Sequence, residues 1–429
     1  MLEAIRIQNF RSIEDVTLDL QQINLLIGAN NSGKSNFLKA LEFLKSILTL
    51  NSNFSREVDF SNYVFRGSYA GFISFTLYYS LNNSFKYAYC LELYFDEKGR
   101  FTGSAEILIQ SELLISRSIQ NKNFEKILKD YKRVAFRVFG HVSFSLESDD
   151  SKLSQLITEN IYDFCIISQD LSSNSKLRTN DYNSEFVINN PRFNPLFEFD
   201  ELLEKILNVV IYKPNPDLYC KSSQLQASPL VSNDGSNLVS FLFNLGQNYK
   251  KVYAQLEKDL EACVGDLVSI STPTDPQNPT ELKIKFFDKN DNAYWADEVS
   301  EGVLYFLALL CIIHQPNPPK LLLLEEPEKG IHPVRLQEVM NFVFKLAEDK
   351  DIQVIMTSHS PLLLEEFKDI PESVFIFDKE GMVSKVKNLQ KDIIEPENKQ
   401  REVEGLPKSD YTSSLSSHWT VGLIGGVPK

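Results

Sequence analysis

The sequence predicts an α/β protein carrying an added antiparallel β portion, and three observations support this. Residues 28–35, Gly-Ala-Asn-Asn-Ser-Gly-Lys-Ser, fit G-x-x-x-x-G-K-[ST]. They lie between an apolar run, Ile23 to Ile27, and a helical pattern at Phe37, Leu38, Leu41, Leu44 and Leu48. Two later apolar runs, Leu321 to Leu324 and Gln353 to Thr357, end in Glu325-Glu326-Pro327-Glu328 and Ser358-His359-Ser360-Pro361. From Gly71 to Ile109 the period changes to two, with turn residues at Asn82-Asn83 and Asp96-Glu97-Lys98-Gly99, which is the pattern of an antiparallel meander.

Strand, glycine loop and helix in that order make residues 28–35 a phosphate-binding loop. Gly28 and Gly33 permit backbone angles closed to other residues, so successive N–H groups across Ala29, Asn30, Asn31 and Ser32 turn towards phosphate oxygens. The helix starting near Ser35 and Asn36 adds unsatisfied N–H groups and a positive dipole end. Lys34 is expected to reach the β- and γ-phosphates, and the Ser35 hydroxyl to ligate Mg²⁺.

A chain of 429 residues exceeds the usual single-core limit, so two lobes or one large domain with insertions are expected. The longest apolar run, Val303 to Ile313, is too short to span a bilayer, and no charged-then-apolar leader opens the chain. Five scattered cysteines without a C-x-x-C suit a reducing cytoplasm and supply no metal framework. The expected location is therefore cytoplasmic, without a membrane partner. A formal charge of −14 argues against a surface coated for nucleic acid. One stretch, Arg117 to Arg137, holds seven basic residues against Glu125 and Asp130. It reads either as a solvated helix face or as a contact for phosphate backbone or an acidic partner.

Taken in order, Leu2 to Ile7 and Val16 to Leu20 read as short strands flanking Asn9-Phe10-Arg11-Ser12-Ile13. Residues 1–112 are expected to form the first half of the α/β domain with its meander, and 113–265 a mainly helical insertion. Residues 266–390 are expected to form the second half, and 391–429 a linker and tail. Inside the insertion, Asn233-Asp234-Gly235-Ser236-Asn237-Leu238 reads as a turn and cap before a helix. Glu281 to Phe287 and Ala293-Tyr294-Trp295 read as a hairpin closed by Asp288-Lys289-Asn290-Asp291, turn chemistry and not a base-reading motif. No heptad persists between residues 50 and 300, so no long coiled coil is expected.

Acids at the carboxyl end of a central parallel strand lie in the ligand crevice of an open α/β sheet. Glu325 is read as holding Mg²⁺ through water, and Glu326 as orienting and deprotonating an attacking water. His359, after another buried strand, is read as sensing or hydrogen-bonding a γ-phosphate. Ser300-Glu301-Gly302 precedes the apolar run from Val303, with Ser300 as its N-cap. His332 is read as shaping a loop, while His141, His314 and His418 show no partner pattern.

Together these motifs resemble ABC-type ATPases of the RecF-, SMC- and OLD-like branch, especially its stand-alone bacterial ATPases. The likeness is carried by Asn9-Phe10-Arg11-Ser12, the phosphate loop, Asp234 to Leu238, and Glu325-Glu326-Pro327-Glu328 with Ile331-His332-Pro333. Trp419 and Gly425-Gly426-Val427-Pro428 also fit. The resemblance implies a P-loop NTPase head that hydrolyses ATP with Mg²⁺ and forms a head-to-tail homodimer around two ATP molecules. In that dimer Ser300 and Gly302 would meet the γ-phosphate held on the partner subunit. Glu326 would be the general base, His359 the switch histidine, and Arg11 and Ser12 neighbours of the nucleotide. Glu301 stands where transporters carry Gly, and Glu325 replaces the usual Asp, so slow turnover is expected. Gln110 and Gln169 are candidates for the Q-loop glutamine.

The chain after His359 is read as too short for the metal-binding nuclease domain that OLD-like relatives append. The resemblance therefore implies a switch controlling a separate effector, a nuclease or toxin, in anti-phage defence. Two other readings stay open: a DNA-repair ATPase binding DNA directly, and a mainly non-catalytic, ATP-gated scaffold that sequesters a toxin.

Overall fold

A computed structural model describes residues 1–49, 62–65, 71–81, 85–96, 100–111, 133–140, 165–168, 209–213, 215–224, 226–316, 318–329, 333–409 and 411–427. The chain divides into two compact units. The first draws on Met1–Gln21, Asn31–Leu207 and Phe377–Val386, and the second on Gln22–Asn30, Asn208–Ile376 and Lys387–Lys429. This interleaving differs from the linear partition expected from the sequence, because strands that pair come from distant stretches.

The first unit holds a seven-stranded sheet in the order Ile13–Asp19, Leu2–Phe10, Phe72–Leu81, Phe85–Phe95, Phe101–Ser111, Arg133–Gly140, Cys165–Ser168. Every neighbouring pair is antiparallel. Arg133–Gly140 and Cys165–Ser168 fall in the span read as mainly helical. Short apolar runs suit helix or strand alike, and the edge of an existing sheet decides the matter here. The helix Lys34–Thr49 buries Phe37, Leu38, Leu41 and Leu44. Its Phe43 meets Phe10 and Tyr63 with ring centroids 5.4 and 4.6 Å apart. Such aromatic pairs add about 0.5–1.5 kcal/mol beyond their buried area.

In the second unit Val210–Tyr212, Leu321–Glu325, Gln353–Ser358 and Ile23–Gly28 lie side by side and parallel. Val374, Phe375 and Ile376, at the start of the strand Val374–Glu380, also belong to this unit and are buried. All residues of Ile23–Gly28 and Gln353–Ser358 are buried, as strands covered on both faces must be. The helix Glu301–His314 is buried throughout from Leu304, and Ser300 is its N-cap. His314 does find a partner: its Nε2 lies 2.7 Å from Asp259 Oδ2.

The expected hairpin is divided. Glu281–Leu282 pairs with Ser223–Gln224, whereas Lys285–Asp288 pairs with Ala293–Trp295 and Leu267–Ser271. Its turn follows the chemistry expected, since Asp288 Oδ1 accepts the N–H groups of Asn290 and Asn292 at 2.8 and 2.9 Å.

The charged segment expected as a linker is largely helix, Glu395–Val403. Its proline lies in the first turn, where a missing N–H costs nothing, and Glu395, Glu397 and Arg401 stand at the ends the helix dipole favours. Leu415, Trp419 and Ile424 join the core of this unit. No described helix is long and apolar enough to cross a membrane.

Candidate functional site

The boundary between the units falls inside the phosphate loop, after Asn30. In the antiparallel unit Gly33 has φ +112, and a Cβ there would stand 2.0 Å from Ser384 Oγ. Ser384 is only 2% exposed, and its N–H donates to the Ser12 carbonyl at 2.8 Å. Ser12 Oγ lies 2.8 Å from Ser384 Oγ and accepts from Asn36 Nδ2, also at 2.8 Å. Ser12, Asn36 and Ser384 therefore form a buttress against Gly33. Lys34 is buried, its Nζ 3.4 Å from Ser32 Oγ, and Ser35 is half-buried on the first helical turn.

Arg11 also belongs to this unit. Its N–H donates to the Tyr63 carbonyl at 2.8 Å, and its guanidinium lies 5.4 Å from the Tyr63 ring centroid. Its Nε is buried without a hydrogen-bond partner. A cavity of about 280 Å³ opens beside it, lined by Ser12, Asn36, Phe65, Lys379 and Met382 among others. The lining supplies two cations, two amides, a hydroxyl and two apolar side chains. Ser384 and Lys379 were missed by sequence reasoning, and no local pattern marks either.

In the parallel unit Glu325 closes its strand and pairs with the ammonium of Lys213. Glu326 adopts a left-handed φ of 51, uncommon outside glycine and frequent at functional positions. Its N–H donates to the Thr357 carbonyl at 3.0 Å, and its Oε1 lies 3.2 Å from His359 Nε2. His359 Nδ1 is 2.8 Å from the Gly28 carbonyl. With Nδ1 donating there, Nε2 either carries a second proton for Glu326 or accepts one from it.

Glu328, given no role from the sequence, organises this corner. Its Oε1 accepts from Ser358 Oγ at 2.6 Å and from the His359 N–H at 3.1 Å. Its Oε2 is buried without a partner, as is the Tyr305 hydroxyl. Burial, with the charge of Glu328 adding to it, holds the Tyr305 phenol well above its usual range, so it stays neutral.

Ser300 Oγ accepts weakly from the Val303 N–H at 3.4 Å. Gly302 is buried, yet a Cβ there would meet nothing nearer than Ser300 Oγ at 3.8 Å. Packing among the described residues does not require that glycine. Gln169, His332, His141 and the stretch from Arg117 to Lys132 lie outside the described residues. Arg133 and Arg137 are on a strand, which removes the helix-face reading for those two.

Oxygen donors of the kind Mg²⁺ takes are present. Glu325 pairs in register with Thr357, whose Oγ1 is buried without a partner. No cluster of three or more His, Cys, Asp or Glu is assembled among the described residues.

A phosphate loop leading from a buried parallel strand, beside strands tipped with acids and histidine, defines a P-loop α/β fold. The family model described as "AAA ATPase domain" matches residues 1–364, and the chain belongs to that family. Among solved structures it is similar to the SMC head domain from Thermotoga maritima, at 12% identity, covering 90% of this chain and 98% of that one, TM-score 0.45. It is similar also to the SmcHead bound to the C-winged helix domain of ScpA, at 14% identity, covering 90% and 96%, TM-score 0.47. An Smc head domain with an extended coiled coil from Pyrococcus furiosus matches at 12% identity, covering 94% and 99%, TM-score 0.44. No curated protein matched the chain.

Proposed function

We propose that the protein binds and hydrolyses ATP in the cytoplasm and works as an ATP-dependent homodimeric switch on a separate effector, a nuclease or toxin, in anti-phage defence. The observation that supports the hydrolytic part best is the Glu326–His359 contact at 3.2 Å, held on its far side by the Gly28 carbonyl. In this reading the loop N–H groups and Lys34 hold the phosphates, and Glu326 Oε1 takes the proton of the attacking water. His359, fixed by Glu328 and Gly28, steadies that carboxylate. Ser35 and Glu325 hold Mg²⁺, which when bound neutralises phosphate charge. The cavity beside Arg11 takes the nucleoside, with Phe65 and Met382 offering apolar contact and Ser12 and Asn36 polar contact.

Ser300 and Gly302, at a helix N-terminus, are the residues offered to the nucleotide on a second copy. The effector and the defence role rest on the motif resemblance. Glu326→Gln tests both steps. Hydrolysis should fall by roughly 10²–10⁴-fold with ATP binding retained, and an ATP-dependent dimer should accumulate in light scattering. Unchanged hydrolysis removes Glu326 as the base. A monomer at saturating ATP and Mg²⁺ overturns the dimer.

A further inference from the structure

Val210–Tyr212 runs parallel beside Leu321–Glu325 with Tyr212 opposite Leu324, so the next residue, Lys213, falls beside Glu325. On the other side Glu325 stands opposite Thr357. Neighbours in register on parallel strands share a face, so Lys213, Glu325 and Thr357 form one row across the carboxyl ends of three strands. The row holds an ion pair, Lys213 with Glu325, and a buried hydroxyl without a partner, Thr357 Oγ1.

The two ends of the ion pair differ in freedom. The Lys213 side chain is 54% exposed and that of Glu325 15%, so the cation can swing into water while the carboxylate stays. The Lys213 backbone, by contrast, is anchored, its N–H donating to the Asn233 carbonyl at 2.9 Å. Asn233 opens the loop that carries Asp234 to Leu238, a motif the proposed function leaves without a task.

That loop is locked from within. Asn237 Oδ1 accepts the Ser232 N–H, and its Nδ2 donates to Ser228 Oγ and the Leu230 carbonyl, each at 2.8 Å. Gly235, at φ +71, lies against Tyr219, whose ring a Cβ would approach to 2.5 Å. The Tyr219 hydroxyl in turn accepts the Asn215 N–H at 2.7 Å and donates to the Asp234 carbonyl at 3.1 Å. The Lys213 backbone directly, and Asn215 through Tyr219, are thus tied to this loop.

We propose that Lys213 is a charge gate on the metal position: its ammonium occupies the Glu325 carboxylate until a divalent cation displaces it, and the Asp234–Leu238 loop sets it there. This rests on the reading of Glu325 as a metal ligand. A cation arriving without phosphate must break the ion pair and then face a positive neighbour. One arriving with a nucleotide brings anionic oxygens that give the released ammonium a new partner. The gate therefore disfavours the bare metal and favours the metal–nucleotide complex.

The test is Mn²⁺ binding to the nucleotide-free protein, followed by electron paramagnetic resonance. Removing one positive charge close to a divalent ion in a solvated setting should tighten binding about tenfold. Lys213→Met is therefore expected to bind Mn²⁺ about tenfold more tightly than wild type, and Lys213→Arg to restore weak binding. Glu325→Gln should abolish binding in either background. If Lys213→Met stays within twofold of wild type while Glu325→Gln still abolishes binding, the gate is wrong and the metal ligand stands. If Glu325→Gln leaves Mn²⁺ binding unchanged, the metal ligand itself is wrong and the gate falls with it. Circular dichroism of Lys213→Met, an exposed change, verifies the fold.

Discussion

Around Gly33 the antiparallel unit leaves no space for a methyl group, and its fixing contacts are short bonds between neutral serine and asparagine side chains. Around Glu325 and Glu326 the parallel unit works with charge: an ammonium on one carboxylate, an imidazole on the next, a third carboxylate beneath. Shape tolerates little change before it fails. Charge can be traded between partners.

The largest effect should come from testing the steric side. Gly33→Ala combines a positive φ with a contact no real Cβ shows, so nucleotide affinity should fall by about a hundredfold or more. A fluorescent ATP analogue measures it, and affinity within threefold of wild type would break the comparison. Next comes the charged side. Glu328→Ala removes the acceptor for Ser358 and for the His359 N–H, and bonds to a charged group contribute about 1.5–3 kcal/mol. The expectation is roughly a tenfold loss in kcat with KM unchanged, and Glu328→Gln, which keeps an acceptor oxygen, should recover most of it. Equal losses in both variants would mean that the charge matters and not the bond.

Smallest is Ser384→Ala, which deletes one neutral hydrogen bond while keeping the backbone bond to Ser12. A cost of about 1 kcal/mol in a urea unfolding curve is expected, with ATP affinity little changed. A large loss of affinity would show that the hydroxyl network, not the lack of space, holds the loop.

What could be read from the sequence is what local pattern encodes. The phosphate loop, the two strand ends, the Ser300 cap and the Asp288 turn each lie within a few residues of the pattern that reveals them. Lys213 and Glu328 did not show, because each acquires its role from a residue far away in the chain, and a single lysine or glutamate carries no period. Ser384 is hidden for the same reason, its partner being Ser12. Arg133–Gly140 escaped because pairing with Phe101–Ser111, not its own composition, makes it a strand. The helix Glu395–Val403 escaped because a proline in a first turn looks like a breaker until its position is known.

One feature of the second unit bears on how the histidine could be moved. The helix Pro361–Glu365 begins just after His359 and rests on Leu415–Thr420, where the Ser416 N–H donates to Glu365 Oε2 at 2.9 Å and Leu415 and Trp419 are buried. The helix Leu415–Thr420 thus supports the segment that directly follows His359.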